Sequence, residues 1–463
     1  MEITSVTFAV FVLAVLAIFY LLPARLQLRW LLLASYVFYA TWSWQFALVL
    51  AALTLVNFAM AHGVRAADRP RRGVLVLGIA INIGVLAGFK YGDTLLHILA
   101  SGAQNGVRIL LPIGLSFYSL QAISYLVDVA QGQIAAETDF VAFALYLAYF
   151  PKLLAGPIER ARKFLPQLSQ PRVVDDAQLA RSATLIAIGV VRKVVIADSL
   201  FEMIPPATFA TPARASGLAV WLVAYSFALY NDFAGYTSLV RGVSLLFGIE
   251  LSPNFASPYF ARSFSEFWTR WHISLSQWLR DYIYLPLSRA LLRRNLSRSN
   301  VPNLLLPPLT AMIICGMWHG EAWHFLAWGA LHGVYLAGER VATLWRPRRP
   351  AQQLPAWRQA LAMLRVFTLV ALTLIPFRLK LTAAETFTRA LLRASGWSLP
   401  DPRVCVLIAL TLWIDWAQSR HGDELVFLQW PWAARAALLT AAVLAVLLVA
   451  QSDLSAPFVY QQF

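Results

Sequence analysis

Apolar runs of about 20 residues, divided by short basic or Gly- and Pro-bearing breaks, repeat along the chain. In the first half they cover 3–22, 31–61, 74–91, 110–129, 140–154, 185–201 and 218–233. In the second half they cover 304–318, 325–345, 360–377, 404–416 and 433–449. The 31–61 run reads as two short spans turning at TWSW. Several runs are short or interrupted by Gly and Pro, so the pattern predicts roughly eleven to thirteen transmembrane helices, some of them broken. Hydrocarbon offers backbone N–H and C=O groups no partner, which selects helices and confines broken ones to the protein interior or a wet cavity. The predicted fold is all-α and polytopic, a single membrane-embedded domain over 1–463. The polar breaks at 132–139, 169–178, 289–303 and 346–358 are short linkers within it.

One stretch has a different pattern. In SFSEFWTRWHISLSQWLRDYIYLPLS (263–288), Trp268, Trp271, Leu275, Trp278, Leu279 and Tyr282 recur at helical spacing. Arg270, Ser274, Gln277, Arg280 and Asp281 fall on the other side. The spacing predicts one amphipathic interfacial or re-entrant helix over 262–287, ended by Pro286, with His272 at the edge of the apolar stripe.

Composition supports a membrane chain. Of 463 residues 59% are hydrophobic and 13% charged, against about 25% charged in soluble domains. The net charge of +15 reads as cytoplasmic loops facing anionic lipid, and no folded basic domain speaks for nucleic acid. Glu2 is the only early charge and no basic region precedes the first run, so it reads as a retained span rather than a cleaved signal. Arg25 and Arg29, then Arg65, Arg69, Arg71 and Arg72, place those segments in the cytoplasm and the N-terminus outside. Cys315 and Cys405, both in apolar context, imply neither a disulfide framework nor a zinc site.

Against this background GMWHGEAWHFLAWGALHG (316–333) collects three of the seven histidines. His319 and His324 diverge by about 140° on a regular helix, and His332 by about 140° the other way. One helix cannot gather them, so no metal site is expected. His324 and His332 read as packed rings bonded to neighbouring carbonyls. His319 is the functional candidate: an ionisable ring at membrane depth, between Trp318 and Gly320, with Gly316 one turn back. His272 stands evenly between an interfacial ring and a functional one. Asp232 and Arg241, in YNDFAGYTSLVRG (230–242), either pair structurally or line a wet path, and their spacing of nine argues against a mutual pair on one helix. YFPKLLAGPIERARKF (149–164) is broken at Pro151, Gly156 and Pro157 into a turn or re-entrant element.

Taken together, LPIGLSFYSLQAISYLVDV (111–129), FPKLLAGPIERARKF (150–164), VRKVVIAD (191–198), NDFAGYTSLVRG (231–242), FWTRWHISLSQWLRDYIYLPL (267–287), MWHGEAWHFLAWGALHG (317–333) and PFVYQQF (457–463) resemble the membrane-bound O-acyltransferase family, in its bacterial alginate O-acetylation subgroup. The resemblance implies a ring of transmembrane helices around a central funnel. It implies catalytic roles for His319, in the WHG block, and His272, in the RWH block. It also marks Trp318, Trp271, Asp232, Tyr236 and Asn254 as residues that line the cavity or position the reacting groups. The implied reaction is transfer of an acetyl group from acetyl-CoA, on the cytosolic side of a bacterial inner membrane, to hydroxyls of an exported polysaccharide such as alginate. A periplasmic acetyltransferase partner is expected, and no bound cofactor. Residues that hold the donor are not identified. For His319 the roles of general base and of acyl carrier both stand; His272 is expected to orient the donor or polarise its carbonyl. Two other classes remain: a transporter of acyl groups, lipid or glycan without chemistry, and a scaffold of a polysaccharide-synthase complex. The enzyme reading expects His319 to line a continuous cavity, with His272 facing the same space.

Overall fold

In the computed structural model, which describes residues 1–65, 70–99, 110–170, 174–210, 217–294, 297, 300–345, 355–393 and 400–450, every regular element among the described residues is a helix. The terminal block 457–463 lies outside them. The chain packs as two compact units, one of residues 1–188 and 236–252, the other of 189–235 and 253–463.

The first unit contains α1 (Val6–Leu21), α2 (Ala24–Ala40), α3 (Trp44–Val64), α4 (Arg72–Leu99), α5 (Leu115–Ala130), α6 (Phe140–Ala148), α7 (Phe150–Leu153), α8 (Ala161–Leu168) and most of α9 (Asp176–Val190). Helix starts follow the local chemistry. Ser5, Ser43 and Asp139 accept from the first-turn N–H groups of α1, α3 and α6. Ser43 ends the TWSW turn that divides the predicted 31–61 run. The 140–154 run is broken before Pro151 into α6 and α7, and Lys152 on α7 is fully buried, donating to Gln121 and to the Tyr146 carbonyl. A buried ammonium keeps its place only because those acceptors satisfy it.

The second unit begins with a π-helical turn, Val191–Asp198, then α10 (Ser199–Met203) and α11 (Ala207–Ala210). α12 (Leu218–Leu246) is shared between the units. There follow α13 (Phe264–Arg270), α14 (Ile273–Leu279), a second π turn (Arg280–Tyr284), α15 (Leu285–Arg294), α16 (Val301–His319), α17 (Trp323–Trp345), α18 (Ala356–Arg378), α19 (Leu381–Arg393), α20 (Pro402–His421) and α21 (Trp432–Ala450).

The single helix expected over 262–287 is three helices. The chain kinks at Trp271 and His272, and Pro286 stands in the first turn of α15, which runs on to Arg294. α14, the π turn and α15 follow one another without a break, so Pro286 sits just past the π turn, where the helical hydrogen-bond ladder is already displaced. The stripe itself persists: Trp268, Trp271, Leu275, Trp278 and Leu279 are all buried. Among the described residues four helices are long and apolar enough to cross a membrane, over Trp44–Val64, Arg72–Thr94, Val301–His319 and Ala356–Arg378. Val6, Leu13, Leu48, Val76, Leu361 and Leu364 point outward, a surface suited to hydrocarbon rather than water. Cys315 is buried and Cys405 is exposed, so only one of the two thiols is interior.

Candidate active site

The site is built where α16 stops. Gly320 follows His319 in extended conformation and its N–H closes the helix on the Gly316 carbonyl. A Cβ on Gly316 would lie 2.3 Å from the Phe325 carbonyl oxygen, and one on Gly320 2.2 Å from the Phe325 ring. Only hydrogen fits at either position, so the two glycines let α17 fold back in direct contact with α16. That closeness pins His319 against the Trp328 ring of α17 (5.0 Å between centroids) and Phe377 of α18 (5.2 Å). The third ring against it is its own neighbour, Trp318, at 5.0 Å.

His272 reaches the same indole from another direction. Its φ of 41° is left-handed, a conformation that costs a non-glycine residue about 1–3 kcal/mol and persists only where the surroundings impose it. Asn254 imposes it. Its carbonyl accepts from Ile273 N–H (2.9 Å) and its side-chain oxygen from Ser274 N–H (3.2 Å), two donors of the first turn of α14 that have no helical acceptor. Ala256 N–H donates to the Arg270 carbonyl (3.0 Å) on the other side of the kink. Trp271 stacks on Phe267 and meets Phe255 edge-on, fixing the step into the kink. The imidazole of His272 then packs edge-on against Phe233 (4.8 Å) and against Trp318 (6.0 Å). Trp318 therefore stands between the two histidines, both of which are buried. Burial pushes the His272 pKa down to about 3, so that ring is neutral at physiological pH.

Phe233 is itself anchored by charges. Asp232 meets the Lys193 ammonium at 2.8 Å, and Lys193 also donates to Asp198 at 2.6 Å. Arg192 donates to Asp415 (2.5 Å) and Asn231 (3.1 Å), and the Tyr230 hydroxyl donates to Asp415 (3.0 Å). Asp232 is thus a buried ion partner of the first π turn. Arg241, in the first unit, donates to the Leu251 carbonyl. Tyr236 belongs to the first unit, where its hydroxyl accepts from Ala155 N–H.

The remaining histidines of the 316–333 stretch go elsewhere. His324 bonds the Pro376 carbonyl through Nδ1 (2.8 Å), and His332 bonds the Thr373 hydroxyl through Nε2 (2.9 Å). Trp323 is exposed.

A cavity of about 970 Å³ lies in the same unit. Its walls include Phe264, Trp268, Ile273, Met312, Tyr335 and Leu369, and its polar lining includes Arg262, Arg280, Arg340, Arg365 and Glu339. Neither His319 nor His272 lines this cavity. The reason is steric. Trp268, which faces the cavity, lies 6.0 Å from Trp328 and 5.2 Å from His332, and Trp328 lies against His319. Bulky rings occupy the space that an open path would need. Sequence reading missed this layer, and it missed the Lys193–Asp232 pair. The signal for the pair was present, because a buried carboxylate and the Arg-Lys of an apolar run each require a partner.

The model of the membrane-bound O-acyltransferase family matches residues 115–381, which contain both histidines, Asn254 and the cavity. The chain is 37% identical over 412 residues to an Azotobacter vinelandii protein named "Probable alginate O-acetylase AlgI", covering 86% of this chain and 79% of that one. It is 39% identical over 337 residues to the Pseudomonas aeruginosa protein of the same name, covering 70% and 63%. A Helicobacter pylori protein named peptidoglycan O-acetyltransferase is 31% identical over 404 residues, 80% and 74% of the two chains. These are all acyltransferases by name, and the match runs through the whole of the histidine-bearing region. The chain is a multi-pass membrane acyltransferase and belongs to the membrane-bound O-acyltransferase family.

Proposed function

We propose that the chain transfers an acetyl group from acetyl-CoA to hydroxyls of an exported polysaccharide, alginate being the first candidate, with His319 as general base. The observation that carries the reading is the pair of buried histidines, His319 and His272, set against one indole, Trp318. An alcohol is a poor nucleophile at neutral pH. A neutral imidazole takes its proton as the oxygen attacks the thioester carbonyl; the tetrahedral intermediate collapses, and the thiolate of CoA leaves with that proton. His272, neutral and held by an imposed backbone kink, suits the orienting of the acyl carbonyl. The cavity suits the donor: apolar walls accept the pantetheine arm, and the planar guanidinium groups of its four arginines match phosphate geometry. On this reading the Trp268–Trp328 layer must part for the thioester to reach His319.

The same proposal places the chain in a bacterial inner membrane, as a ring of roughly eleven to thirteen spans around a central funnel. The donor enters from the cytosol and the hydroxyl from the far side, where a periplasmic acetyltransferase partner works on the same polysaccharide. The relatives' names support the acetyl and polysaccharide parts of this reading. The test is release of free CoA from acetyl-CoA by purified protein given an unacetylated alginate oligosaccharide. His319→Ala is expected to lower the rate by a factor on the order of 10² to 10⁴. Wild-type turnover by folded His319→Ala protein would return the chain to the transporter or scaffold class.

A further inference from the structure

The aromatic layer between the cavity and His319 holds three buried polar atoms whose hydrogen-bonding capacity is unmet among the described residues. They are Trp268 Nε1, Trp328 Nε1 and His332 Nδ1. The residues are 8%, 5% and 1% exposed, so bulk water does not serve them, and an unmet buried group of this kind costs about 1–3 kcal/mol. Their rings are mutual neighbours: 6.0 Å between Trp268 and Trp328, 5.2 Å between Trp268 and His332, and 4.8 Å between Trp328 and His332.

The protonation of His332 follows from its one partner. Thr373 has a single hydroxyl hydrogen, and it goes to the Val370 carbonyl at 2.6 Å. Toward His332 the Thr373 oxygen is therefore an acceptor, so Nε2 carries the hydrogen and donates across 2.9 Å. In the neutral ring Nδ1 is then a bare lone pair. The layer presents two N–H donors and one acceptor. One chemical group has the complementary set: a hydroxyl oxygen, with two lone pairs and one hydrogen. A carbonyl would satisfy both indoles and leave Nδ1 unmet; an ammonium would meet Nδ1 and repel both indole N–H groups.

We propose that Trp268, Trp328 and His332 form a binding site for one hydroxyl oxygen, supplied by water or by the alcohol to be acylated. The inference rests on the acetyl-transfer reading for its role. Trp328 touches both this site and His319, so a hydroxyl held here is one ring away from the proposed base. It is the station from which an alcohol advances to His319. A water there is the competitor that would hydrolyse the thioester to acetate and free CoA if it advanced instead.

The experiment is a pair of cryo-EM maps of the full chain in nanodiscs, at a resolution that shows ordered water, one without substrate and one with an unacetylated alginate oligosaccharide. Density within about 3.2 Å of all three nitrogens is expected. An isolated peak in both maps identifies water; a peak joined to the sugar identifies the alcohol. Absence of density at the three nitrogens in both maps overturns the site. His332→Phe supplies the kinetic arm. If the alcohol binds here, the KM for the oligosaccharide rises roughly tenfold, as for loss of one hydrogen bond, while that for acetyl-CoA is unchanged. If the occupant is water, oligosaccharide KM stays at the wild-type value and CoA release without oligosaccharide falls. Movement of neither quantity in the folded variant also overturns the site. Failure of the base reading looks different: His319→Ala would remain active while the density stayed in place.

Discussion

At His272 the backbone and the side chain ask for different things, and substitutions separate them. The kink needs a residue that tolerates φ near 41°, which asparagine does better than most. The proposed chemistry needs the imidazole. His272→Asn is therefore expected to fold and to lower acyl transfer by roughly 10-fold to 100-fold, through loss of donor positioning. Wild-type turnover by that variant would reduce His272 to a structural kink. The same residue carries a pH dependence of stability. Burial sets its folded-state pKa near 3, below the ordinary value of 6.5. As pH falls below about 6.5 the unfolded chain takes up the proton first, so His272 makes the folded protein progressively less stable down to its folded pKa. Melting temperatures of solubilised protein between pH 7.5 and 4.5 are expected to fall on the acid side, and less steeply for His272→Asn. Parallel pH profiles for the two proteins would contradict the buried neutral ring.

Among the elements, the first π turn has the clearest energetic consequence. It brings Arg192 and Lys193, consecutive in sequence, to separate acidic partners: Asp415 for one, Asp198 and Asp232 for the other. π turns recur at functional sites, where the extra residue redirects side chains. All five charged groups are buried. Removing one member leaves the others without its charge in a poorly solvating interior, a loss of about 3–5 kcal/mol. Lys193→Met is expected to lower the yield of folded protein and the melting temperature, and Lys193→Met with Asp232→Asn to restore part of both. Equal losses in the single and double variants would show that the pair is not coupled. The path from this turn to the site is short: Asp232 precedes Phe233, and Phe233 packs on His272.

For the molecule as a whole, orientation decides which face would meet the proposed donor, acetyl-CoA. The basic segment at Arg71 and Arg72 and the one on α15 at Arg289, Arg293 and Arg294 carry an excess of arginine beside apolar helices, so the positive-inside rule predicts both in the cytoplasm. With Cys405, the exposed native thiol, replaced by alanine, a cysteine at Arg72 or at Arg293 is expected to react with a membrane-impermeant maleimide only after cells are opened. Labelling of either position in intact cells would reverse the topology and move the donor side with it.

The all-helical membrane class was legible in the sequence, because hydropathy is a local property, although α12 runs to Leu246 and α9 begins at Asp176, well outside the apolar runs they contain. Gly320 ends α16 while Gly316 lies inside it, and both admit the close approach of Phe325, since a missing Cβ acts on its immediate surroundings. What the sequence could not disclose depends on partners far along the chain. The amphipathic stripe at 264–279 keeps its period whether or not the backbone kinks at His272. The kink is decided by Asn254, which is distant in sequence and caps α14. Lys193 finds Asp232 through a π turn that no hydrophobic period encodes. The layer of Trp268, Trp328 and His332 forms only where α13 meets α17. In each case the sequence supplied the residue types, and tertiary contact chose their partners, because hydrogen-bond and ion-pair energies depend on ångström-scale separations that local spacing does not set.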